Sequence, residues 1–146
     1  MELFIDADGC PVTDIAVRLA KQYGLACTLL CDTSHQMERP GVRTITVPKG
    51  ADSVDFALVN LVTQGDLVVT QDYGLAAMCL SRRAVPIHQD GMVYTEDNID
   101  GLLFFRAAAK KVRNAGGRLK GPARRTREQD KAFAIALEQL LREATV

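Results

Sequence analysis

The sequence predicts an α/β fold: a mostly parallel five-stranded sheet with helices on both faces and more helices at the carboxyl end. Three observations carry this. Leu3, Phe4 and Ile5 form an unbroken apolar run that stops abruptly at Asp6-Ala7-Asp8-Gly9. Such a run, with aromatic and β-branched members, suits a strand covered on both faces. A second apolar run, Leu67-Val68-Val69-Thr70, has the same character. Short runs of this kind alternate with helical segments over residues 1–90, the pattern of parallel strands joined by crossover helices.

Taken in order, the first strand leaves through Gly9, and Pro11 suits the first turn of a helix. Val12 to Tyr23 reads as that helix, with Gly24 as its stop. Leu25 to Cys31 is the second strand, followed by Asp32-Thr33-Ser34-His35, a loop from Gln36 to Gly41, and a third strand from Val42 to Val47. A helix starts near Asp52 and runs to about Gln64, closed by Gly65. After the fourth strand, Leu67 to Thr70, comes a short helix over Leu75 to Leu80 and a fifth strand over Ala84 to Ile87. Asp90-Gly91 is a hairpin-type turn into a short strand, Met92 to Tyr94. Thr95 caps a helix reaching about Asn114, with Asn98 at its third position and an apolar face of Leu102, Leu103, Phe105 and Ala109. Ala115 to Pro122 reads as loop, and Thr126 caps a last helix through about Glu143 that faces a core with Phe133, Leu137, Leu140 and Leu141.

At 146 residues the chain is expected to be one domain, residues 1–146, with a basic helical part from about 95 to 146. Four cysteines show no paired C-x-x-C spacing, which argues against structural zinc. Cys27 and Cys31 read as small hydrophobes, and Cys10 as a packing or turn residue. The absence of Trp and an aromatic content of 5% argue against a base-stacking platform. No leader and no membrane-spanning run is evident, so a cytoplasmic protein without a membrane partner is the expectation. The net charge of zero conceals an asymmetry. Residues 1–100 hold 7 Lys+Arg against 14 Asp+Glu, residues 101–146 hold 11 against 4, and nine basic residues lie between Leu102 and Arg127 with no acid among them. An acidic pocket joined to a basic arm suits an enzyme acting on a polyanion.

Three carboxyl-end segments then carry the candidate chemistry. Asp6 and Asp8 follow the first strand on one side of it, Asp72 follows the fourth, and Asp52 and Asp55 share a face at the start of the middle helix. Close carboxylates repel unless a cation sits between them, and a hard divalent ion prefers oxygen ligands. The plainer reading of Asp52 and Asp55 is helix capping, and spacing alone leaves the two readings even. Asp66 falls at the opposite end of the fourth strand and reads as a loop residue.

FIDADGCPV, KGADSVDFAL and GDLVVTQDYGLAA, with Gly91, Thr95, Asn98-Ile99, Arg106, Arg113 and Gly121-Pro122, resemble the YaiI/YqxD family of uncharacterised bacterial proteins over nearly the whole chain. More distantly the pattern is similar to PIN and NYN nuclease domains. Asp6, Asp52 or Asp55, and Thr70-Gln71-Asp72 match their acidic positions, and Lys49-Gly50-Ala51-Asp52 resembles the NYN form. The resemblance implies a PIN-like three-layer αβα fold and Mg²⁺- or Mn²⁺-dependent phosphodiester hydrolysis, most often of RNA. It implies Asp6, Asp72 and either Asp52 or Asp55 as catalytic candidates, and Asp6 and Asp72 as metal ligands; Asp8, without a counterpart in every such domain, is the further ligand candidate by its place beside Asp6. Arg106, Arg113, Arg118, Lys120, Arg124 and Arg125 are the candidates for contact with backbone phosphates. Thr70 either positions an oxygen at the site or is structural, and His35 and His88 read as structural.

Two other readings compete. Phe4-Ile5-Asp6-Ala7-Asp8-Gly9 also resembles the nucleophile motif of haloacid-dehalogenase-like phosphatases, with Asp6 as nucleophile, Thr33 or Ser34 after the second strand, and Lys49 as a poorly placed lysine. Alternatively the chain binds RNA through its basic arm without cutting it.

Overall fold

The structure, a computed structural model, describes residues 1–33, 37–50, 52–117 and 124–144. Ser34, His35, Ala51, Arg118, Lys120 and Gly121-Pro122, all singled out above, lie outside the described residues. Five strands form one all-parallel sheet: β1 (Glu2–Asp6), β2 (Ala26–Asp32), β3 (Arg43–Val47), β4 (Leu67–Val69) and β5 (Val85–Ile87), in the order β3-β2-β1-β4-β5. The helices are α1 (Thr13–Gln22), α2 (Ser53–Leu61), α3 (Tyr73–Ser81), α4 (Glu96–Asn114) and α5 (Arg127–Ala144). This is a three-layer α/β fold.

Alternation along the strands sorts the core into two faces. Leu3, Ile5, Leu29, Cys31, Leu67, Val69 and Ile87 point to α1 and α5, meeting Val12, Ala16 and Ala20 and the fully buried Phe133, Leu137 and Leu141. Phe4, Leu30 and Val68 point the other way, to Leu58 of α2 and to Leu75 and Cys79 of α3. The expected core role of Cys27 and Cys31 is met: both are buried in the first of these clusters. The helix α4 does not touch the sheet core directly. Its Ile99, Leu102 and Leu103 pack on Ala76, Ala77 and Leu80 of α3 and on Tyr94.

Several boundaries differ from expectation for identifiable reasons. The helix α2 stops at Leu61, three residues before Gln64, because Val62 turns extended and the Asp66 carboxylate takes the Thr63 N–H at 2.9 Å and the Thr63 hydroxyl at 3.0 Å. The helix α3 starts at Tyr73, earlier than expected, because Asp72 caps it. The expected strand Met92 to Tyr94 reduces to a single antiparallel bridge, Val93 to Ile87, across the turn at Gly91. That turn needs glycine: φ is +95°, and a Cβ there would lie 2.7 Å from the Ala132 carbonyl oxygen of α5. The expected apolar face of α4 is also corrected. Leu102 and Leu103 pack inward, while Phe105 is 71% exposed, because the inner stripe follows Ile99, Leu102, Leu103 and Arg106 at helical spacing. The capping box of Thr95 and Asn98 forms as expected, and Thr126 and Gln129 exchange the equivalent bonds at the start of α5. No helix among the described residues is long and apolar enough to cross a membrane.

Asp66 is a loop residue at the opposite edge of the sheet from Asp6, as expected, and it is a buried one. Besides the Thr63 bonds it accepts the Glu2 N–H at 2.9 Å, tying the start of β1 to the start of β4. Asp66→Ala strands those donors, and a loss of about 2–3 kcal/mol follows from buried polar groups left unpaired. Urea unfolding checks it; a midpoint equal to that of the parent would contradict the assignment.

Candidate active site

The parallel sheet brings every strand's carboxyl end to one edge, and the reversal of strand order between β1 and β4 opens a crevice there. Asp6 ends β1. Ala7 is fully buried and its N–H donates to the Leu30 carbonyl at 2.9 Å, so the chain stays in the sheet plane for one more residue and brings Asp8 to the same side as Asp6. Asp8 accepts the Asp32 backbone N–H, at 3.0 and 3.3 Å to its two oxygens, which joins the ends of β1 and β2.

Thr70 links the two strands at the switch point. Its hydroxyl donates to Asp6 Oδ2 at 2.8 Å and accepts the Asp72 N–H at 3.0 Å. The threonine is itself clamped: its N–H donates to the Ile87 carbonyl at 3.1 Å, and its carbonyl accepts the Tyr94 hydroxyl at 3.1 Å. Of the two readings left open for Thr70, the geometry gives both at once, since a buried structural residue holds a site carboxylate. Asp72 then caps α3, accepting the Gly74 and Leu75 N–H groups at 2.8 and 3.2 Å, and takes a bond from Arg106 Nη1 at 3.2 Å.

The third arm is the start of α2. Asp52 occupies the N-cap position but makes no side-chain cap bond, and its φ of 61° is left-handed, a conformation costly for a non-glycine residue. Capping therefore does not account for the Asp52 side chain. Asp55 sits in the first turn of the helix, facing Asp6 and Asp72.

These segments line a cleft of about 560 Å³ whose walls carry Asp6, Asp8, Asp32, Asp52, Asp55 and Asp72, with Arg106 as the cation among them. Crowding of like charge shows in the titration. Asp6 is pushed from 3.8 up to about 6, chiefly by burial, with the Asp72 and Asp8 charges adding and the Thr70 hydrogen bond opposing. Asp55 is pushed to about 7, again by burial first, then by repulsion from Asp72, Asp6 and Asp52. The donor chemistry fits a hard divalent cation, since every acidic wall group offers carboxylate oxygen. The spacing is a separate matter: among the described residues no three acidic, histidine or cysteine side chains stand close enough together to ligate one ion.

The cleft thus gathers Asp6, Asp8, Asp52, Asp55, Asp72 and Arg106 from the residues singled out in the sequence. Arg113 and Arg124 are exposed and lie outside its walls. Arg125 is committed elsewhere: it bonds Asp90 and the Gln89 carbonyl at 2.6 Å and Asp130 at 2.7 Å, pinning the start of α5 to the turn after β5. His88 has a structural place, as expected, with Nδ1 accepting the Asp90 N–H at 3.0 Å and burial lowering its pKa. Cys10 is half-buried against the core, where burial pushes its thiol up. Thr33 and Lys49 do not line the cleft. Asp32 and Tyr73 do, and neither stood out in the sequence; the signal for Asp32 was its place at the end of a strand parallel to β1.

A pH dependence follows from the carboxylates. Asp6 and Asp55 hold their protons more tightly folded than unfolded, so their contribution to stability is full below about pH 4 and is lost as pH rises through 6 to 7. Asp55→Asn removes part of that repulsion. It should raise the melting temperature at pH 8 by about 3 °C, for about 1 kcal/mol once the exposure of Asp55 is allowed for, and leave it unchanged at pH 4. Calorimetric melting at the two pH values checks this; destabilisation at pH 8 would contradict it.

Comparison with known proteins gives a family. The model of the family described as "Uncharacterized BCR, YaiI/YqxD family" matches residues 4–143. A UPF0178 protein of Exiguobacterium sibiricum is 51% identical over 145 residues, covering 99% of both chains. UPF0178 proteins of Ruminiclostridium cellulolyticum and Clostridium acetobutylicum are each 47% identical, the first over 94% of this chain and 90% of its own, the second over 97% of both. No solved structure matches. The chain belongs to the YaiI/YqxD family.

Proposed function

We propose that this chain is a nuclease that hydrolyses phosphodiester bonds, in RNA, with Mg²⁺ or Mn²⁺ as its cofactor. The observation that carries the reading is the convergence of Asp6, Asp55 and Asp72 from three chain segments on one cleft, where their mutual repulsion calls for a cation. Asp6 and Asp72 would hold the ion, with Asp8 at the rim beside them. A divalent ion bound there supplies positive charge against the phosphate and acidifies water.

The chain's own residues do the remaining work. Thr70 fixes Asp6 and the Asp72 backbone in mutual register. Asp55, with its carboxyl pushed to about 7, is suited to orient a water and take its proton as the water oxygen attacks phosphorus and the bond to the leaving oxygen breaks. Arg106 is half-exposed and, among the described residues, bonds the single cleft carboxylate of Asp72, so its guanidinium can also donate to a phosphate. Lys110 and Arg113 continue the same side of α4 one and two turns beyond it, a row of cations leading away from the cleft. The phosphatase alternative is weaker, because Lys49 lies outside the cleft walls.

Calorimetric Mn²⁺ titration, with cleavage of a labelled RNA pool followed in the same samples, tests the proposal. Asp6→Asn and Asp72→Asn should each lower the cleavage rate by at least about 100-fold and weaken Mn²⁺ binding, while far-UV circular dichroism stays that of the parent. Asparagine still accepts the Thr70 bond or caps α3, so folding is spared. RNA bound but never cut, at any Mg²⁺ or Mn²⁺ concentration, would replace the nuclease with a binding module. A phosphoryl group trapped on Asp6 would replace it with the phosphatase.

A further inference from the structure

The outer side of α4 carries a feature that the proposed chemistry does not use. Gly101, Phe104, Phe105, Ala108 and Val112 follow the spacing i, i+3, i+4, i+7, i+11 and so share one face. All five are exposed, Phe104 by 77%, Phe105 by 71% and Val112 by 44%. The stripe lies on the other side of the helix from Ile99, Leu102, Leu103 and Arg106, which face α3 and the cleft. Two neighbouring phenylalanines held this far into solvent are a surface in want of a partner.

The flanking charges say which partner. Asp97, Phe104 and Lys111 are seven residues apart and run down one edge of the stripe, with Asp100 beside Asp97. The amino-terminal half of that edge is acidic and the carboxyl-terminal half basic. Among the described residues, none of Asp97, Asp100 and Lys111 forms an ion pair within its own chain. An anionic surface would be repelled by the aspartates. The same edge turned end for end is its own complement: a two-fold axis at Phe104 sets Asp97 of one helix opposite Lys111 of the other, twice, with the two Phe104 rings at the centre. Parallel pairing would instead set this edge against the uncharged opposite edge of the partner, Asn98, Phe105 and Ala109, and leave the same charges unpaired.

We propose that the outer face of α4 binds a second copy of this chain in an antiparallel, two-fold pair. The interface is isologous and closes on itself. Arg106 stays on the opposite side of the helix, so pairing leaves the cleft open. The proposal does not depend on the nuclease reading.

Sedimentation equilibrium of the full chain over a range of concentrations tests it. The parent should dimerise. Phe104→Asp should weaken the dimer by at least about tenfold, as should Lys111→Glu alone and Asp97→Lys/Asp100→Lys together. An equimolar mixture of the two charge variants should recover the parent affinity as a heterodimer, because both cross-pairs are then opposite in sign. Phe104 is a surface residue, and circular dichroism of each variant keeps the fold in view. A parent that stays monomeric at its highest attainable concentration would overturn the proposal. So would a dimer indifferent to Phe104→Asp, or a charge-variant mixture that fails to recover.

Discussion

Parallel pairing of β1 with both of its neighbours is the constraint on which the rest of the molecule depends. Because β2 and β4 run with β1, their carboxyl ends share its edge of the sheet, and the residues just past those ends meet. Antiparallel pairing of either neighbour would send Asp32 or Asp72 to the far edge, where Asp66 lies. The strand needs no polar face to hold this position: Leu3 and Ile5 meet α1 and α5, and Phe4 meets α2 and α3. Burial of that kind supplies about 1.5–3 kcal/mol per large side chain, enough to offset the repulsion that the same geometry concentrates at its end.

The cleft is therefore a place where fold stability is given up. Carboxyl groups raised to about 6 and about 7 are destabilising when ionised at neutral pH. Charged and polar groups that disfavour the folded state cluster at functional sites because ligands relieve them. The arrangement around Thr70 keeps that strain local. One hydroxyl donates to Asp6 and accepts from Asp72, while the backbone on either side is bonded to Ile87 and Tyr94. Asp72 does two things with one carboxylate, since it caps α3 and also meets Arg106.

Much of this was legible in the sequence, and the reasons differ by residue. Asp6, Asp8 and Asp72 could be placed because an apolar run with Asp just past its end fixes both the strand and the edge of the sheet at which the acid lies. Asp52 and Asp55 could be placed on the middle helix but not assigned, since first-turn aspartates are ordinary caps; that the Asp52 side chain makes no cap bond and its backbone is left-handed is visible only in the structure. Arg125 shows the limit of charge counting. Its neighbours in sequence are basic, yet its partners Asp90 and Asp130 come from the turn after β5 and from α5, and the first of these contacts is tertiary. Phe105 shows the limit of periodicity: the inner stripe of α4 runs through Ile99, Leu102 and Leu103, and Phe105, three residues past Leu102, falls beyond its edge. Arg118 and Lys120 belong to the same basic stretch and lie outside the described residues.

Whether the aspartate cleft binds a divalent ion is the most direct test of the proposed nuclease. Crystals of the protein soaked in Mn²⁺, measured at the manganese absorption edge, would locate the ion by its anomalous scattering. A metal-dependent nuclease site should give a peak in the cleft, in contact with the carboxylates of Asp6 and Asp72. A cleft without a peak at saturating Mn²⁺, or an ion bound out of reach of Asp6, would contradict it.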